Sequence, residues 1–84
     1  MTPDQVRAAR VLLGWSLARL GIRSGTSAYM VKTFERTGRV APLHSRTERV
    51  DALAAIRATL EAAGVEFTGD GASDVRLREP AGTE

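Results

Sequence analysis

The stretch GTSAYMVKTFERTGR, residues 25–39, decides how this chain folds. It interrupts a helical pattern with Gly25-Thr26-Ser27 and resumes it at once with Tyr29, Met30, Val31 and Phe34. Ser27 is a good N-cap, because its hydroxyl can accept from a backbone N–H of the first turn. Val31 and Phe34 are spaced three apart on one face, and Thr37-Gly38 closes the helix. Gly25 permits a tight reversal with positive φ, and Ser27 restarts hydrogen bonding immediately, so the spacing predicts two short helices held at a steep angle.

Upstream, Thr2-Pro3-Asp4-Gln5 reads as a helix start, with Thr2 as N-cap, Pro3 in the first turn, Asp4 at the positive dipole end and Gln5 closing a capping box. Val6, Ala9 and Leu13 follow at helical spacing up to Gly14. Ser16 caps a short second helix, with Leu17 and Leu20 facing inward. Downstream, after a loop containing Pro42, Ser45-Arg46-Thr47-Glu48 offers another capping box. Val50, Leu53, Ile56 and Leu60 then carry the longest helix to Gly64. Beyond it the pattern alternates in Val65-Glu66-Phe67-Thr68 and Val75-Arg76-Leu77-Arg78, a hairpin signal. The expected fold is mainly α: a four-helix domain over residues 1–64, a short strand pair over 65–78, and a flexible tail over 79–84.

Eighty-four residues support one domain, which at this size buries only about 60% of its unfolded surface, so a large enclosed active site is not expected. There is no cysteine for a disulfide or thiolate metal site. The single histidine, His44, lies in a predicted loop without a metal-spaced partner, and a solvated or capping role suits it. No Ser/His/Asp set, carboxylate pair, metal cluster or glycine-rich phosphate loop is present, which argues against an enzyme and against a metal or cofactor. No apolar run reaches membrane-span length and no signal peptide opens the chain, so a soluble, cytoplasmic protein is expected. The net charge of +2 conceals an uneven distribution. Residues 5–46 carry Arg7, Arg10, Arg19, Arg23, Lys32, Arg36, Arg39 and Arg46 against Glu35 alone, whereas the remainder is acidic. A basic half joined to an acidic half points to a polyanion-binding side.

From Trp15 to Arg39 the spacing resembles the helix-turn-helix of the Xre/Cro family of phage-repressor-like DNA-binding proteins. Leu20 takes the inward position of the first motif helix, Gly21 the small-residue position, Gly25 the turn and Ser27 the cap of the recognition helix. Val31 and Phe34 are its core residues and Glu35-Arg36 its ending. With the preceding Arg-containing helix, the resemblance covers about residues 3 to 63 and implies a sequence-specific regulator of transcription on double-stranded DNA, with residues 27–36 in the major groove. It implies base contacts from Ser27, Ala28, Tyr29, Lys32 and Thr33. It implies phosphate contacts from Arg36 and Arg39 and from backbone N–H groups at Ser16 and Leu17. It also implies a structural ion pair between Arg10 and Glu35.

Two departures stand out. Leu17 occupies the place of a usual glutamine and removes one side-chain phosphate clamp. Ile22 and Met30 stand where polar groups are common, either as scattered surface hydrophobes or as an apolar patch. They keep a second reading open, in which the fold serves as a protein-interaction module such as an antitoxin or adaptor. The working form is expected to be a homodimer, because one short recognition helix covers too few base pairs to select a site. Strand addition burying Val65, Phe67, Val75 and Leu77 would build it, the rival being a hairpin folded back on its own long helix.

Overall fold

A computed structural model describes residues 1–40 and 46–78. The loop at Pro42 and His44, the Ser45 cap and the tail over 79–84 lie outside the described residues. The chain runs α1 (Pro3–Leu13), α2 (Leu17–Ser24), α3 (Ala28–Thr37), α4 (Arg46–Ala62), β1 (Val65–Phe67) and β2 (Val75–Leu77). It is mainly α, with one antiparallel strand pair in the register Val65↔Leu77, Glu66↔Arg76 and Phe67↔Val75.

The local signals act as their chemistry dictates. Thr2 and Gln5 form both halves of the capping box, Gln5 N–H donating to Thr2 Oγ1 at 3.2 Å and Thr2 N–H to Gln5 Oε1 at 3.0 Å. Ser16 accepts from Arg19 N–H and Ser27 from Met30 N–H, so α2 and α3 each start on a serine. Gly25 sits at φ 75°, and this left-handed residue lets α3 begin three residues later. Below it, Ser24 and Thr26 hydroxyls share a 2.8 Å hydrogen bond, and Thr26 N–H donates to Gly21 O at 2.9 Å, which ties the corner.

One core joins all the elements. Val6 and Ala9 of α1, Leu20 of α2, Val31 and Phe34 of α3, and Ala52, Ile56 and Leu60 of α4 are buried together with Val40 and Val65. The expectation for Val50 is corrected: it is 54% exposed, and Ala52 takes the inner position. At about 100° per residue Val50 lies some 120° around the helix from Ile56, while Ala52 lies within about 40° of it. Val40, just past α3, is a core residue that no periodicity marks, because it belongs to no helix or strand.

The strand pair folds onto its own chain, with β1 against α4 and β2 against α1. Val65 is fully inside the core, and Phe67 and Val75 pack against it half-buried. The assignment of Val65 to a dimer surface is therefore corrected, and only Leu77 of the four expected residues is exposed. A small helical core leaves room that the inner face of a hairpin fills, so the strands need no second chain to cover Val65. A further tie is Gln5, whose Nε2 donates to Gly69 O at 2.5 Å and Gly71 O at 3.3 Å in the hairpin loop. No helix among the described residues is long and apolar enough to cross a membrane.

Candidate nucleic-acid interface

The angle between α2 and α3 is set by a missing side chain. Gly21 is buried, and a Cβ there would fall on Ser27 C and 2.6 Å from Ala28 N. Backbone meets backbone at this point, so the start of α3 lies directly on α2. The inner face of α3 is anchored by Val31 and Phe34 and by Met30, which packs half-buried against the core. Met30 therefore does not share the exposure of Ile22, which is 78% exposed.

The outer face of α3 carries the expected readers. Tyr29 is 63% exposed, Lys32 and Arg36 are exposed, and Ala28 and Thr33 are half-buried. Arg39, just past the helix, is also exposed. Two of the hydroxyls are already engaged. Ser27 Oγ holds the cap, accepting from Met30 N–H at 3.1 Å. Thr33 Oγ1 donates to Tyr29 O at 2.8 Å, and Thr37 Oγ1 to Thr33 O at 2.8 Å. Spending its proton inside the helix leaves Thr33 with acceptor lone pairs and a methyl group. Among the described residues, Tyr29, Lys32 and Arg36 are then the side chains of this face whose donors find no partner.

At the start of α2, Ser16 is exposed and its hydroxyl caps Arg19. The Leu17 side chain is half-buried against the core, so this position can offer an anion only its backbone. The first-turn N–H groups of a helix have no intrahelical partner and point outward with the positive dipole end.

Glu35, the lone acid of the basic half, is withdrawn from this face. Its side chain is 3% exposed, and both of its oxygens are taken by Arg10, through Nε at 2.9 Å and Nη2 at 3.0 Å. Arg10 Nη1 also donates to Trp15 O at 3.1 Å, and Arg7 Nε lies 3.7 Å from Glu35 Oε1. The hydrogen bonds that Arg10 donates to Glu35 raise its guanidinium above its ordinary value; burial opposes the shift, and the charge of Glu35 adds a smaller push upward. Two cations thus neutralise one carboxylate, and Lys32, Arg36 and Arg39 are exposed while Glu35, the acid of α3, is buried.

Sequence reasoning missed Arg23, whose guanidinium lies 5.1 Å from the Trp15 ring centre. This stacking turns it toward the start of α2. A tryptophan and an arginine eight residues apart in different segments carry no spacing signal. No protein-family model, curated protein or solved structure matches the chain.

Proposed function

We propose that this chain is a sequence-specific double-stranded-DNA-binding regulator of transcription, with α3 entering the major groove. The observation that carries the reading is the outer face of α3: Tyr29, Lys32 and Arg36 exposed with free donors, and Glu35 beside them buried under Arg10. A helix of this diameter fits the major groove, and a face cleared of acid tolerates the phosphate walls on either side. The resemblance to the Xre/Cro helix-turn-helix over Trp15–Arg39 supports the same assignment.

In this reading Arg36, Arg39 and the amino terminus of α2 hold phosphates and set the register, while Ala28, Tyr29, Lys32 and Thr33 meet base edges. With the Thr33 proton engaged within the helix, discrimination falls on Lys32 and Tyr29 as donors and on methyl contacts from Ala28 and Thr33 to thymine.

Ile22, the most exposed large hydrophobic side chain on α2, and the absent side-chain clamp at Leu17 favour the second reading, a protein-interaction module. Titration of a random-sequence duplex over a salt series separates the two. A DNA reader loses affinity steeply and linearly in log K against log salt, whereas negligible binding even at low salt rejects the DNA assignment.

A further inference from the structure

The hydroxyl of Thr33 is unlike its neighbours on the outer face of α3. Its Oγ1 donates to Tyr29 O at 2.8 Å, and since a carbonyl oxygen can only accept, the proton is committed inward. Toward a ligand this oxygen accepts and does not give. Ser27 is the reverse case: its Oγ accepts from Met30 N–H at 3.1 Å and keeps its own proton. Tyr29, on the same face, is exposed and carries a phenolic proton, and the exposed Lys32 and Arg36 are donors without acceptor capacity. The carboxylate of α3 is out of reach, its side chain 3% exposed and both oxygens held by Arg10. Thr33 therefore offers an acceptor-only oxygen and, on the same carbon, a methyl group.

That pair of groups selects among base edges. Thymine has a methyl group in the major groove, but beside it stands O4, another acceptor, and lone pairs would face lone pairs. An ordinary exposed threonine would turn its hydroxyl and donate to O4; here that rotation breaks the bond to Tyr29 O. Cytosine turns its N4–H donor to the groove and has no methyl, and adenine sets N7 beside its N6–H donor. A donor and a methyl group side by side on one base arise when cytosine is methylated at C5. Its paired guanine then presents N7 and O6, acceptors suited to the Lys32 ammonium, the next residue on the same face.

We propose that α3 reads 5-methylcytosine in duplex DNA. Thr33 Oγ1 accepts from its N4–H, the Thr33 methyl packs on its C5 methyl, and Lys32 donates to the paired guanine. This rests on the DNA reading of α3 and narrows its ligand to DNA modified at cytosine. Unmodified cytosine keeps the hydrogen bond and loses the methyl contact. Thymine keeps the methyl contact and loses the hydrogen bond.

Sites selected from two random duplex pools, one with cytosine and one with 5-methylcytosine throughout, supply the test. Dissociation constants are then measured with cytosine, 5-methylcytosine and thymine, each correctly paired, at every pyrimidine of the best site. At one position or more, 5-methylcytosine should bind about fourfold tighter than cytosine, the worth of one buried methyl. It should also bind about fivefold or more tighter than thymine, the worth of one hydrogen bond together with the guanine contact. Thr33→Ser, which keeps the oxygen, should bind cytosine and 5-methylcytosine alike at that position. Thr33→Val, which keeps a methyl without the oxygen, should reduce the preference over thymine about fivefold. Both variants should hold a random unmodified duplex as tightly as wild type, since phosphate contacts are untouched. No affinity for either pool at low salt overturns the DNA reading and this inference with it. Binding in which 5-methylcytosine is nowhere tighter than cytosine, or a methyl preference that survives Thr33→Ser, overturns this inference and leaves the DNA reading standing.

Discussion

The carboxylate of Glu35 and the guanidinium of Arg10 meet in a two-point pair, 2.9 and 3.0 Å, that binds α3 to α1 beneath the exposed face of α3. Breaking one side leaves a buried charge without its partner. Glu35→Ala should cost about 3–5 kcal/mol in urea unfolding, whereas removing both charges with Arg10→Met, Glu35→Leu should cost less than Glu35→Ala alone. The pairing raises the guanidinium's affinity for its proton, so its stabilisation is fully present below the ordinary arginine range and is lost only as pH rises above the raised value. The difference between wild type and Arg10→Met should therefore hold steady from neutral to mildly alkaline pH. A difference that shrinks over that interval contradicts the assignment.

The contact at Gly21 makes a sharper demand. A methyl group there meets the backbone of Ser27 and Ala28, which cannot rotate away as a side chain can. Gly21→Ala should destabilise by about 1–3 kcal/mol or more and shift the amide resonances of residues 26–30. At Gly14 no atom lies within 4 Å of an added Cβ, and only the positive φ of 69° opposes alanine, at about 1 kcal/mol. Equal costs at both positions would show that the α2–α3 approach is looser than described.

Gln5 serves two elements with one amide. Gln5→Glu keeps the oxygen that accepts from Thr2 N–H but replaces the donor that reaches Gly69 O and Gly71 O with a second acceptor. The expected loss is about 1–3 kcal/mol. Hydrogen exchange should show where it falls: the hairpin amides of Thr68 and Arg78 should lose protection while those of α1 keep theirs.

On DNA, Arg36→Ala and Arg39→Ala should weaken binding to every sequence and lower the salt slope by about one each, as phosphate contacts do. Lys32→Ala and Tyr29→Ala should instead relax preference at particular base pairs of a sequence selected from a random pool. Unchanged affinity in all four variants would remove α3 from the interface.

Methyl readout is testable on the nucleic acid itself. Replacing a contacted thymine by uracil deletes one methyl and nothing else. Each such replacement in the selected site should cost about 0.8 kcal/mol, roughly a fourfold change in Kd. Thr33→Ser, which keeps the hydroxyl and loses the methyl, should erase the sensitivity at one position, while Thr33→Val should retain it. A selected site indifferent to uracil throughout would assign discrimination to Lys32 and Tyr29 alone.

Much of this molecule is decided within a few residues along the chain. The starts of α1, α2 and α3 are set by Thr2, Ser16 and Ser27, and their ends by Gly14, Gly25 and Gly38, because caps act through bonds to neighbours three or four residues away. The inner faces of α1 and α3 and the alternation of the strands are equally local, since helical and strand periods repeat in the sequence itself. The same periodicity sends Tyr29, Lys32 and Arg36 outward once Val31 and Phe34 turn in, while their role toward DNA is what the family resemblance implies. What the tertiary structure alone decided is where surfaces meet across large sequence separations. The side of α4 that faces inward passes over Val50 in favour of Ala52, and Val40 enters the core from outside any helix. Gln5 reaches a loop more than sixty residues away, and the hairpin buries Val65 in its own chain and leaves Val11, Leu12 and Leu77 uncovered. Such outcomes depend on how whole elements share one small core, a competition for buried volume that no local spacing encodes.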